Sequence, residues 1–170
     1  MKIFGLAGWS GSGKTTIVTS LIPVLRERGL KVSTIKHAHH SFDVDKPGKD
    51  SYQHREAGAS EVLIGSRNRY ALIHELRNEE EPSLPELLAR LSPVDLVLIE
   101  GFKRDGHPKI EIYRPSIGKP PLWPDDPAIN AVASDATLEG CDRPVIDLQD
   151  IEAIADCVIA GAIPAHTLLS

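Results

Sequence analysis

At 170 residues with 41% hydrophobic content, the chain is sized for one domain around one core, spanning 1–170. Its formal charge of −5, with the basic residues scattered, offers no basic face for nucleic acid or an anionic membrane surface. The two cysteines, Cys141 and Cys157, are far apart and lack a CxxC partner. They argue against a disulfide framework or a zinc knuckle, and with no secretory h-region or transmembrane stretch a cytoplasmic protein is expected.

Residues 3–7 form a short apolar run leading into a glycine-rich turn, the pattern of a buried central strand of a parallel sheet. From Lys14 to Arg28 the apolar positions Ile17, Val18, Leu21, Ile22 and Leu25 recur at helical spacing. Gly29 supplies the stop, and Pro23 predicts a kink. Residues 31–35 predict a second strand, followed by a polar stretch, 37–49, with no apolar period. Asp50 is placed to cap a short helix ending at Gly58, and residues 61–65 and 70–76 predict a hairpin turning at Arg67-Asn68. Ser83 to Glu86 has capping-box spacing before a helix through Leu91, and 95–100 reads as another buried strand. An alternating strand over 109–113 precedes a Pro-rich loop over 115–127. Strands over 128–133 and 145–147 and a helix carrying Ile151, Ile154, Ala155, Val158 and Ile159 close the chain. The alternation predicts a three-layer α/β, P-loop NTPase-like domain with a mostly parallel sheet and an added antiparallel hairpin.

The pattern G-x-x-x-x-G-K-[ST] is met at Gly8, Gly13, Lys14 and Thr15, between a predicted strand and a predicted helix. Its glycines let successive N–H groups turn inward to phosphate oxygens, and the helix N-terminus adds partial positive charge. Lys14 is expected to reach the β and γ phosphates and Thr15 to offer its hydroxyl to Mg²⁺. Gly11 relaxes the loop, and Thr16 is placed for the α phosphate. Glu100, an acid ending the apolar strand 95–100, is the expected carboxylate near the metal.

The stretch His37 to Asp50 holds His37, His39, His40, Asp43, Asp45, Lys46 and Asp50. Such a cluster is open to three uses: a metal site, the lining of a substrate pocket, or a nucleotide-sensing switch. Adjacent His39 and His40 make the metal site the weakest of them. For base selection the Asn-Lys-x-Asp signature is absent, and Asp135, at the end of a late strand, is the carboxylate expected to accept from guanine, or else to cap a helix before Ala136.

The phosphate loop, Thr34-Ile35-Lys36-His37 with His39-His40, the segment 43–58 and Leu98-Ile99-Glu100-Gly101-Phe102-Lys103 together resemble the molybdopterin-guanine dinucleotide biosynthesis protein B (MobB) family. Asp45-Lys46-Pro47-Gly48-Lys49-Asp50-Ser51 is the most discriminating part. The resemblance implies a GTP- and Mg²⁺-binding accessory protein of molybdenum cofactor biosynthesis, homodimeric and with weak GTPase activity. It would assist a MobA-type molybdenum-cofactor guanylyltransferase in attaching a guanine nucleotide to the molybdopterin cofactor. It further implies that Gly8, Gly11, Ser12, Gly13, Lys14, Thr15 and Thr16 hold phosphate and metal, that Glu100 supports the metal, and that 37–50 senses nucleotide or meets the pterin. No catalytic residue is assigned. The alternatives are a small-molecule kinase, weakened because no segment gathers the arginines of a lid, and a metallochaperone GTPase, weakened by the lack of a Cys-containing pair in the histidine stretch.

Overall fold

The structure is a computed structural model and describes residues 1–38 and 42–168. It divides into two compact units, one of residues 1–37 and 84–170 and the other of residues 38–83.

The larger unit is built on a seven-stranded sheet in the order β2-β5-β1-β6-β7-β8, with β9 also paired to β1. Its strands are β1 Lys2–Ala7, β2 Val32–Lys36, β5 Leu96–Glu100, β6 Lys109–Tyr113, β7 Ile129–Ser134, β8 Val145–Asp147 and β9 Ile163–Pro164. All pairings but the short β1·β9 one are parallel, so β1 is central, as its continuous apolar run predicts. Alternation along the strands separates two faces. Phe4, Leu6, Leu96, Leu98, Ile110 and Ile112 pack against Leu21 and Leu25 of α1 (Lys14–Glu27) and Ile154 and Val158 of α4 (Ile151–Gly161). Ile3, Ile35, Val97 and Ile99 meet Leu84 and Leu88 of α3 (Leu84–Ala89) on the opposite face.

Helix α1 runs on through Pro23 for 14 residues. It closes one residue earlier than predicted, in a Schellman turn. Gly29 adopts φ +84°, its N–H donates to Arg26 O, and the Leu30 N–H donates to Leu25 O. Helix α4 is capped by Asp150, whose carboxylate accepts from the Ala153 N–H at 2.9 Å.

Strand β6 differs from its expected half-solvated form. Lys109 and Glu111 are as buried as Ile110 and Ile112, because irregular segments cover that face. Lys109 Nζ donates to Lys103 O (3.2 Å) and Asp105 O (2.6 Å) and pairs with Asp126. Glu111 accepts from the Leu122 and Trp123 N–H groups. Two buried charges thus tie the connections 101–108 and 115–127 to the sheet, each satisfied as a buried ion must be. Burial pushes the Glu111 carboxyl above its ordinary range, against the two backbone donors that favour its charge.

The smaller unit contains α2 (Asp50–Glu56) and a hairpin of β3 (Glu61–Gly65) and β4 (Tyr70–His74), which pair in their own two-stranded sheet. Asp50 is not the N-cap: Lys49 takes that position in extended conformation and Asp50 is the first helical residue, where its charge still complements the helix dipole. The unit is organised around Arg55. Its guanidinium bonds Glu75 at 2.8 Å and both Asp43 oxygens at 3.0 Å, lies 3.6 Å from Asp45 and faces the Tyr52 ring. These partners raise the Arg55 pKa further, and the Asp45 N–H and Arg55 hold Asp43 below its usual value.

Candidate nucleotide site

The loop from β1 to α1 is closed by its own lysine: Lys14 Nζ donates to Gly8 O at 3.0 Å and Trp9 O at 2.9 Å. Gly8, Gly11 and Gly13 all have positive φ, the conformation that glycine adopts freely and that lets a loop curl in this way, and the Ser12 N–H donates to Trp9 O at 3.1 Å within the turn. Gly8 is fixed by sterics as well, since a Cβ there would lie 2.5 Å from Ile112 O. Thr15 and Thr16 stand exposed on the first turn of α1.

Ser10, Gly11, Gly13, Lys14, Thr15, Lys36 and Glu100 line one recess of about 300 Å³. The parallel register places Lys36 opposite Glu100 at the carboxyl ends of β2 and β5, where their side chains pair at 3.4 Å. Desolvation draws the Lys14 ammonium below its ordinary pKa; Glu100 opposes this, while Lys103 and Lys36 reinforce it. Two cations, Lys14 and Lys36, and one carboxylate around a glycine loop that opens a helix are a lining suited to a polyphosphate, and Thr15 and Glu100 are the oxygen groups there that would meet a hard divalent ion.

The turn after Glu100 is tightly fixed. Gly101 and Phe102 have φ +100° and +47°, and the His37 N–H donates to Glu100 O at 2.8 Å. The His37 ring stacks on Phe102 with centroids 4.7 Å apart. His37 is therefore bound to the β5 turn in the larger unit, and Asp43 and Asp45 are partners of Arg55 in the smaller one. Lys46 and Asp50 are exposed. His39 and His40 lie outside the described residues. Among the described residues, no group of three or more His, Cys, Asp and Glu is placed to hold a metal ion.

Asp135 lines a second recess of about 410 Å³ with Ser134, Ala136, Thr137, Leu138, Val145 and Asp147. It caps no helix; the Ser134 hydroxyl accepts the Ala136 N–H instead. Asp135 Oδ2 pairs with Arg114 Nη1, and Arg114 Nε donates to Ser12 O at 3.1 Å. One guanidinium thus joins the acid to the phosphate loop. Lys36 enters the sequence reading only within the run Thr34-Ile35-Lys36-His37, with no site role, and Arg114 not at all. The legible signal for Lys36 was its place at the end of a strand beside the one that ends in Glu100.

The family model for MobB, molybdopterin guanine dinucleotide synthesis protein B, matches residues 3–135. The chain belongs to the MobB family. It is 44% identical over 162 residues to the molybdopterin-guanine dinucleotide biosynthesis adapter protein of Escherichia coli K12, covering 94% of this chain and 92% of that protein. The protein of that name from Haemophilus influenzae is 42% identical over 160 residues, covering 93% and 88%. A crystal structure of molybdopterin-guanine biosynthesis protein B superposes with a TM-score of 0.71 at 29% identity, covering 93% of this chain and 98% of that one. The Bacillus subtilis MobB structure gives 0.76 at 24% identity, covering 96% and 99%, a likeness of fold. The MobB match takes in the whole phosphate loop, Glu100 and Asp135.

Glu111 gives a direct check on how the 115–127 segment is held. Glu111→Gln turns an amide toward two backbone donors and is expected to cost about 1–2 kcal/mol of stability, read by urea unfolding.

Proposed function

We propose that this chain is an adapter of molybdopterin guanine dinucleotide biosynthesis that binds GTP with Mg²⁺ in the recess at the phosphate loop. It would act in the cytoplasm, as a homodimer, alongside the guanylyltransferase that attaches the nucleotide to molybdopterin. Membership of the MobB family supports the pathway. The observation that carries nucleotide binding is the convergence of Lys14, Lys36, Glu100 and the positive-φ glycines on one recess. Arg114 reaches the loop but is engaged by Ser12 O and Asp135 rather than presented to phosphate, which fits slow hydrolysis.

The test is displacement of a fluorescent guanine nucleotide. GTP should compete and ATP should not; the opposite preference would favour a small-molecule kinase and sink the reading. Asp135 supplies the base preference in this proposal, with one oxygen on Arg114 and the other left for the guanine N1–H and 2-amino group. Asp135→Asn is expected to narrow the GTP to ATP affinity ratio by about 1–3 kcal/mol. An unchanged ratio would leave Asp135 only its tie to Arg114.

A further inference from the structure

We propose that Trp9, Lys103 and Lys119 form a second anion site beside the phosphate loop, one that takes the phosphate monoester of a pterin. The pterin rests on the adapter reading above; the anion site rests on geometry. Trp9 is the second residue of the loop, and its indole is held in place because Nε1 donates to Pro120 O at 2.7 Å. Two ammonium groups from different connections converge on that one ring, Lys103 Nζ at 4.7 Å and Lys119 Nζ at 5.9 Å from its centroid. Among the described residues neither is ion-paired with a carboxylate.

Bringing like charges together is unfavourable, and the ring offsets only part of that cost. The fold nevertheless holds both in place. Lys103 sits on the 101–108 connection, fixed by Lys109 Nζ on Lys103 O and by the strained turn at Phe102. Lys119 sits on the 115–127 connection, fixed by Glu111 on the Leu122 and Trp123 N–H groups. Buried charges that order two loops so that their lysines meet over an aromatic face make an arrangement completed by an anion on the lysines and a flat ring beside the indole. Trp9 also links the two sites, because its carbonyl accepts from Lys14.

The source of the phosphate separates this site from the nucleotide site. The full-length chain, with Trp123 replaced by Phe so that Trp9 is the sole tryptophan, is titrated with a pterin carrying one phosphate monoester, with and without saturating Mg²⁺-GTP, following tryptophan fluorescence and the heat of binding. Saturable quenching is expected in both conditions, roughly tenfold weaker for unphosphorylated pterin and for Lys119→Ala. Lys119 is exposed, so its loss spares the fold. Competitive displacement by Mg²⁺-GTP would overturn the proposal by assigning the lysines to the nucleotide's own phosphates. Equal affinity in Lys119→Ala and Lys103→Ala, or no saturable binding, would overturn it too. Failure of GTP to bind would appear in the nucleotide titration alone and would count against the nucleotide reading, since the phosphopterin arm without nucleotide decides this site.

Discussion

Lys14→Ala is expected to lower affinity for GTP by roughly a hundredfold or more while the chain remains folded. The ammonium would make charge-assisted contacts to two phosphates, worth about 3 kcal/mol or more together, and no neighbour substitutes for it. Lys36 is engaged by Glu100 and Arg114 by Asp135. Stability should change far less. The substitution removes two hydrogen bonds to Gly8 O and Trp9 O, but it also relieves the desolvation of a half-buried ammonium that sits near Lys36 and Lys103. Displacement of a fluorescent guanine nucleotide and thermal unfolding, run on the same preparation, separate the two effects. Retained affinity in a folded Lys14→Ala protein would refute the role of Lys14 and the nucleotide reading that depends on it.

The parts of this site that sequence made legible are the local ones. The strand, loop and helix around Gly8 to Thr15 are fixed by short-range rules, namely a buried apolar run, glycines where φ is positive, and helical periodicity. Gly29 marked the helix end for the same reason. What escaped is non-local. Arg114 meets Ser12 across 102 positions, and the two-residue β9 pairs with Lys2 and Ile3 at the far end of the chain. On β6, alternation separates Lys109 and Glu111 from Ile110 and Ile112 but cannot reveal that irregular segments cover the charged side. Asp50 shows the limit of cap rules, because its neighbour Lys49 holds the extended conformation that ends the loop.

His107, singled out by no motif, gives the second large expectation: between pH 7 and pH 4 the wild-type chain should lose about 3 kcal/mol more stability than His107→Gln. The imidazole is fully buried, and neither ring nitrogen has a hydrogen-bond partner. It fills the space above β1 that Gly5 leaves open, since a Cβ on Gly5 would lie 2.5 Å from Nε2. Desolvation, reinforced by the Lys109 ammonium and opposed by Asp126, brings its pKa down to about 4 from the ordinary 6.5. The folded chain therefore keeps His107 neutral where the unfolded chain takes up a proton. Its contribution is complete above pH 6.5 and is lost as pH falls from 6.5 toward 4, at about 1.4 kcal/mol for each tenfold step in proton activity. His74 works in the opposite direction: hydrogen bonds to Glu61 and Glu79 raise its pKa, so the stability it adds is present below 6.5 and lost as pH rises through the raised value. Comparing the slopes of urea-unfolding free energy against pH for wild type and His107→Gln cancels His74 and the carboxylates, which both proteins share. Converging curves at low pH support a neutral buried His107, and parallel curves would show that the ring is protonated in the fold without penalty.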